Sequence, residues 1–459
     1  MSEFIYEKLK ELKEKGAYPF HMPGHKRNCE DVFLGNTLFS MDITEITGYD
    51  DLHQPEGMIR KAMDEAKKIY GTKESYFLIN STTAGNLSAI AATCHIGDKI
   101  LVARNCHKSV YHGIELLGLD PIYLYPEVDD MGICRGITTD QVRKILKEEK
   151  NIKAAVIVSP TYEGRISEIR GISETLHEND IPLIVDEAHG AHFIFHRDFP
   201  ESAISQGADI VIQSLHKTLP SLTQTGILHL CTDRISKSWM QKKLSVFQSS
   251  SPSYILMASI ECCINKCNEK RESFQQYMDQ MKEICGQLSK MKHLKLITTD
   301  DISKIVISTK NTTISGEQLF CILRDKYQME LEMSELSYVI AMTSVCDTRE
   351  GLQKLVDALL EIDQNISEKK NDQIENFHMI QNEKIFLPEE ISRKKKKQVL
   401  LEESVGNIGA DFVYLYPPGI PLIVPGEKIS RDIVQKIQQY EKNKMKIVGC
   451  FDGKINIVK

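Results

Sequence analysis

The side chains richest in chemistry lie in Ser214-Leu215-His216-Lys217-Thr218-Leu219-Pro220, directly after the strand-like run Ala208 to Gln213. Most lysines are solvated surface charges, and one alone carries no message. Lys217 differs in its flanks, because Ser214, His216 and Thr218 offer hydrogen-bonding groups beside the amine and Pro220 fixes the chain just beyond. An amine so placed at a strand end suits a Schiff base with pyridoxal phosphate, whose phosphate needs donors close by. Such a site requires two further parts, a carboxylate for the pyridinium nitrogen and a phosphate cradle at a helix start.

Asn80-Ser81-Thr82-Thr83-Ala84-Gly85-Asn86 offers the cradle: a strand-to-helix junction with three successive hydroxyls ahead of Leu87, Ile90 and Ala91. A plain N-cap needs only one hydroxyl, and three tilt the balance toward an anion. Asp186, ending the run Leu183-Ile184-Val185, offers the carboxylate. The tetrad Asp186-Glu187-Ala188-His189 also spells the magnesium-binding motif of a helicase class. That reading needs a phosphate loop of the Gly-x-x-x-x-Gly-Lys-Ser/Thr type, which the sequence lacks. A metal site at His189, His192 and His196 is the other rival, and the spacing lacks the His-Glu-x-x-His pattern. His107 follows the strand-like run Ile100 to Ala103, where either a helix cap or a ring stacked on the cofactor would fit.

The elements that must hold these groups read as α/β. Apolar runs at 76–79, 99–103, 121–124, 154–158, 182–185, 209–213 and 226–230 alternate with helical segments, the pattern of a mainly parallel sheet that binds ligands at its carboxyl edge. Residues 1–71 read as an N-terminal arm with a helix over 3–15, polar loops around His25 and Glu45, and a helix whose stripe Ile59, Met63 and Ala66 ends at Gly71. Residues 72–291 form the large cofactor-binding domain, closing with one long helical stretch over 253–291. Residues 292–459 form a smaller C-terminal α+β region, with a charged connection near 365–397 that includes the solvated run Arg393 to Lys397. The chain has 459 residues, with 64 acidic against 57 basic side chains and a formal charge of −7, so no footprint for nucleic acid is present. Its 12 cysteines show no Cys-x-x-Cys pair, no run reaches membrane-spanning length, and the N-terminus is no signal peptide. The expectation is a cytoplasmic protein with no membrane, nucleic-acid or metal partner.

Together His21 to Lys26, Asp42 to Leu52, the Asn80 cradle, Arg104 to Ser109, Ser159-Pro160-Thr161-Tyr162-Glu163-Gly164, the Asp186 segment, Ser214 to Gln224 and Tyr416 to Glu427 resemble the bacterial ornithine/lysine/arginine decarboxylases of pyridoxal-phosphate fold type I. The resemblance is to a short form without the N-terminal wing domain. It implies the aspartate-aminotransferase-like fold, Lys217 carrying pyridoxal 5'-phosphate, Asp186 on its ring nitrogen and His107 stacked on the ring. It further implies Thr82, Thr83, Ala84, Ser214 and His216 around the phosphate, and Ala188 and His189 against the cofactor. Tyr162 and Glu427 are expected at the substrate, Glu427 on its distal cation, with Lys217 or His216 as proton donor. Two positions depart from the family: Ser81 replaces the usual glycine, and Asn407 a common basic residue.

The implied reaction is decarboxylation of a basic amino acid, arginine to agmatine first, with lysine or ornithine open, in a homodimer or higher homo-oligomer. An aminotransferase, an aldolase and a non-catalytic cofactor-binding regulator stand as alternatives on the same fold.

Overall fold

Uninterrupted aliphatic runs such as Ile100-Leu101-Val102 cannot present a wet face, so they form strands covered on both sides. The computed structural model describes residues 18–21, 24, 26, 42–46, 48–369 and 379–459. The helix expected over 3–15 and His25 lie outside the described residues. After β1 (Tyr18–Phe20) come β2 (Glu74–Leu78), β3 (Lys99–Ala103), β4 (Asp120–Leu124), β5 (Ile152–Val158), β6 (Leu183–Asp186), β7 (Ile210–Gln213) and β8 (Gly226–Leu230). Strands β2 to β8 form a seven-stranded sheet in the order β2-β8-β7-β6-β5-β3-β4. Strand β8 runs antiparallel to both neighbours and the other pairings are parallel. The two faces feed separate cores: along β2, Tyr76 and Leu78 enter one, Phe77 and Ile79 the other, as a period of two requires.

The helix Met58–Tyr70 buries Ile59, Met63, Ala66 and Tyr70 on one stripe and stops at Gly71, whose φ of 70° places it in the left-handed region. The single long helix expected over 253–291 is instead two, Tyr254–Glu269 and Arg271–Leu288. Lys270 leaves helical geometry at φ −106° and ψ 45°. The polar run Asn268 to Ser273 has nothing to bury, so the chain turns there.

A smaller region follows, with β9 (Lys295–Ile297), β10 (Lys304–Ser308), β11 (Met329–Leu331), β12 (Met333–Ser334) and β13 (Tyr338–Met342). Four of these strands form an antiparallel sheet in the order β12-β13-β10-β9, and β11 pairs in parallel with β1. The last unit has its own core around Ile423, Ile433 and Ile437. It holds β14 (Lys396–Leu400), β15 (Val413–Leu415), β16 (Pro421–Ile423), β17 (Ile447–Val448) and β18 (Lys454–Val458). The basic run Arg393 to Lys397, read as a solvated connection, runs into β14, which pairs with β18. Lys396 and Lys397 stay exposed on this edge strand, where charge deters further pairing. Among the described residues no helix is long and apolar enough to cross a membrane.

One buried ion pair ties this last unit to the large sheet. Arg104, just past β3, donates through Nη2 to both carboxylate oxygens of Glu427 at 3.2 and 3.1 Å and through Nη1 to the Pro421 carbonyl at 2.7 Å. Asn382 Nδ2 and the Val424 amide also donate to Glu427, and both charged side chains are almost fully buried. Breaking such a pair strands a charge away from water. Glu427→Gln is therefore expected to lower unfolding free energy by about 3 kcal/mol, read as an earlier calorimetric transition, and Arg104→Met with Glu427→Met to recover much of it. A single variant melting with the wild type would show that the pair is not sealed from water.

Candidate active site

In an open α/β sheet the carboxyl ends of the strands leave a crevice with unpaired backbone groups and helix N-termini around it. Strand β2 delivers the cradle there, β3 delivers His107, β5 Tyr162, β6 Asp186 with Ala188 and His189, and β7 Ser214 to Lys217.

The cradle opens the helix Ser81–Thr93, and Asn80 gives it no side-chain cap. Ser81 partly answers the exposed amides by accepting from Thr83 N–H at 3.1 Å. Its φ of 59° lies in the left-handed region, which is why glycine is the expected residue there. The Ser81 amide donates to the Gln224 carbonyl at 2.9 Å, joining the cradle to the chain beyond Lys217. Thr82 Oγ1 lies 3.1 Å from Ser214 Oγ, and both are buried beside buried Ala84, whereas Thr83 is exposed. His216 donates from Nδ1 to the Thr225 carbonyl at 2.8 Å, which fixes its ring.

Lys217 Nζ lies 3.0 Å from His189 Nε2. Burial pushes the amine below the ordinary lysine range, and the Asp186 carboxylate opposes that shift. Burial and the Lys217 charge push His189 well below the usual histidine range, so it is a neutral acceptor from the ammonium with its ring proton on Nδ1. That Nδ1 is buried without a partner among the described residues, as is Thr218 Oγ1. The ring of Tyr162 packs edge-on against His189 at 4.8 Å, and its hydroxyl donates to Glu332.

Asp186 accepts from the Ala188 amide at 3.1 Å and from Asn86 Nδ2 at 2.9 Å. Burial raises its carboxyl above the usual aspartate range, against the lowering pull of Lys217, Asn86 and the Ala188 amide. Asn86 Nδ2 also donates to Ser109 Oγ at 2.9 Å, and Ser109 Oγ lies 2.9 Å from His107 Nδ1. His107 thus caps its helix, accepting from the Ser109 amide, and also belongs to the site. Burial, then the nearby lysine charges, lower it to about 3. Gly419 backs the ring: a Cβ there would lie 3.2 Å from His107 Cδ2.

The structure brings together Thr82, Thr83, Ala84, His107, Tyr162, Asp186, Ala188, His189, Ser214, His216 and Lys217, and leaves Glu427 out. Glu427 was expected on the substrate's cation and instead serves Arg104, because the buried guanidinium takes both its oxygens. His192 is bound to Asp301 and His196 to Gln275, and no cluster suited to a metal exists among the described residues. Sequence reasoning passed over Asn86 and Ser109. Asn86 stands four residues after Thr82, one helical turn along the cradle helix, and that spacing was the available signal. It also passed over Gly24, whose amide donates to the His216 carbonyl at 2.7 Å. A Cβ on Gly24 would come within 2.8 Å of the Thr218 and Leu219 backbone. The buried carboxylate, the recessed amine, the uncapped helix start and the orphaned donors fit pyridoxal phosphate.

Gly24→Ala is expected to displace the Lys217 turn and cut retained cofactor severalfold, measured by visible absorbance after gel filtration. Asn86→Leu should keep the cofactor and reduce turnover about tenfold, the loss of roughly 1.4 kcal/mol that one hydrogen bond to a charged group provides. Normal turnover in Asn86→Leu would remove the relay from the site.

Comparison with known proteins agrees with this geometry. The family model for the major domain of Orn/Lys/Arg decarboxylases matches residues 4–328, and the model for their C-terminal domain matches residues 372–453. The chain is 35% identical to "Uncharacterized protein YaaO" of Bacillus subtilis, covering 98% of this chain and 96% of that one. It is 31% identical to an arginine decarboxylase of the same organism, over 99% of this chain and 97% of the relative. Among solved structures, the Francisella novicida lysine decarboxylase LdcF superposes with a TM-score of 0.78 at 20% identity, over 93% of this chain and 76% of that one. With a matching family model over most of its length and these relatives along the whole of it, the chain belongs to the Orn/Lys/Arg decarboxylase family.

Proposed function

We propose that this protein decarboxylates arginine to agmatine and carbon dioxide, with lysine and ornithine as the substrates to compare against it. The observation that carries the reading is the Lys217 amine, 3.0 Å from a neutral His189 and within the field of buried Asp186. Arginine comes first because nearly full-length relatives, including one from Bacillus anthracis at 32% identity, bear the name arginine decarboxylase.

Bound pyridoxal phosphate supplies an electron sink for the pair left at the α-carbon. Asp186 would keep the ring nitrogen charged, and Asn86 and the Ala188 amide hold that carboxylate in place. The cradle amides, Thr82, Thr83, Ser214 and His216 would hold the phosphate. His107 and Ala188 would position the ring, and Tyr162 would line the substrate side. Lys217 would hold the cofactor through its amine. When not holding the cofactor, the Lys217 amine could carry a proton, and His189 Nε2, 3.0 Å away, could exchange it. The exposed Thr83 at a phosphate site calls for cover from outside the chain, which supports a homodimer with shared sites. Every described cysteine is free, in keeping with a reducing cytoplasm.

Carbon dioxide release from arginine, lysine and ornithine, with identification of the amine formed, tests the reaction. An aminotransferase would give a keto acid, an aldolase would cleave a side chain, and a regulator would give nothing. Lys217→Ala is expected to lose bound cofactor colour and all activity, and retention of full activity would end this reading. Asp186→Asn should keep most of the cofactor while turnover falls about a hundredfold, roughly 2.7 kcal/mol of barrier. Unchanged turnover would return Asp186 to a structural role.

A further inference from the structure

Lys304 opens β10, and its side chain is fully buried. An ammonium has three protons to place, yet Ser303 Oγ is 3.5 Å away and Asp301 Oδ2 3.7 Å. Asp301 is already committed, since it accepts from His192 Nε2 at 3.1 Å, the Ser303 amide at 3.0 Å and Ser303 Oγ at 2.8 Å. Lys26 shows what a satisfied buried lysine looks like here: it donates to the Met342 carbonyl at 2.7 Å and the His21 carbonyl at 3.1 Å. A cation withdrawn from water without close partners is strongly unfavourable, so its retention points to an anion that it meets.

The neighbours of Lys304 say where that anion sits. Its stem passes Gly164, where a Cβ would lie 3.0 Å from Lys304 Cγ and 3.3 Å from Asp301 Cβ. The Gly164 carbonyl accepts from the amides of Asp300 and Asp301, both at 3.1 Å. Gly164 is two residues past Tyr162, and His192 is three past His189, so Lys304 is enclosed between the two loops that flank Lys217. Its charge is felt at both Lys217 and His189. The cofactor's own phosphate is provided for elsewhere, at Thr82 and Ser214. The anion that remains is the one on the amino acid.

We propose that Lys304 receives the α-carboxylate of the substrate, an assignment that rests on the decarboxylase reading of the site. Burial lowers the Lys304 amine below the ordinary lysine range, and the negative charges of Asp301 and Glu332 oppose that shift. The contact holds the carboxylate in the bound substrate and through the approach to the transition state alike, so its loss acts on KM rather than on kcat.

The test compares ligands with and without that carboxylate on the cofactor-loaded protein. In Lys304→Met the KM for L-arginine should rise about ten- to a hundredfold with kcat within about threefold, the loss expected for one charge-assisted contact. Binding of agmatine and of argininamide, followed by the shift of the cofactor's visible band, should stay within about twofold of wild type. Lys304→Arg should restore most of the arginine affinity. A parallel loss for agmatine, or an unchanged arginine KM, would overturn the assignment and leave Lys304 as a structural cation. If Lys304→Met fails to fold, Lys304→Arg and Lys304→Gln carry the same comparison. Should the wild type release no carbon dioxide from any basic amino acid, the reaction fails by itself, and spectral titration with arginine against agmatine still decides the role of Lys304.

Discussion

Two opposite charges, Lys217 and Asp186, are held out of water at the ends of neighbouring strands, and much of the site answers that one constraint. Burial alone would neutralise both, since it lowers the amine and raises the carboxyl. Each charge resists the other's neutralisation, and local hydrogen bonds finish the work: the Ala188 amide and Asn86 on the carboxylate, His189 on the amine. The balance leaves both groups poised rather than fixed. An amine below its ordinary range reaches its nucleophilic form more readily, and a carboxylate with only two donors keeps capacity for a third.

The same loops join the domains. Arg104, leaving β3 ahead of His107, reaches across to Glu427, and His192, just past His189, reaches to Asp301 at the mouth of β10. Gly24 lies against the turn that carries Lys217, and its carbonyl accepts from Ser344 in the smaller region. Any shift of the smaller units against the large sheet is therefore felt at the side chains of the crevice. This placement gives the buried ion pairs a role beyond stability, which such pairs seldom supply efficiently by themselves.

How far the sequence reveals this depends on whether a role is local or made by distant contact. The alternation of apolar runs and helical stripes announces the sheet, and the strand-end positions of Lys217 and Asp186 follow from it. The segment Asn80 to Thr83 stands out because three hydroxyls in a row exceed what a cap needs. Glu427 was misjudged because Pro425-Gly426-Glu427 says nothing of Arg104, more than three hundred residues earlier, whose buried guanidinium claims the carboxylate. Lys304 was invisible for the complementary reason. A lysine opening a β-strand reads as ordinary, and only packing against Gly164 and Asp301 shows that its amine is buried. The break at Lys270 escaped because helix propensity continues through the polar run while tertiary packing does not.

The relay from Asp186 to His107 has a direction, and the carboxylate sets it. An ionised carboxylate only accepts, so Asn86 must turn its NH2 toward Asp186, and the same nitrogen donates to Ser109 Oγ. The Ser109 hydroxyl, with an oxygen already accepting, sends its own proton on to His107 Nδ1. That nitrogen also accepts from the Ser109 amide, so it carries no proton, and the neutral imidazole keeps its hydrogen on Nε2. With its pKa lowered to about 3 by burial, His107 stays in this tautomer well into acidic solution. A charged ring at this position would add a second positive charge to the relay that reaches Asp186. The relay keeps the imidazole neutral, so the negative charge of Asp186 is answered by its amide donors and by Lys217 rather than by a second cation.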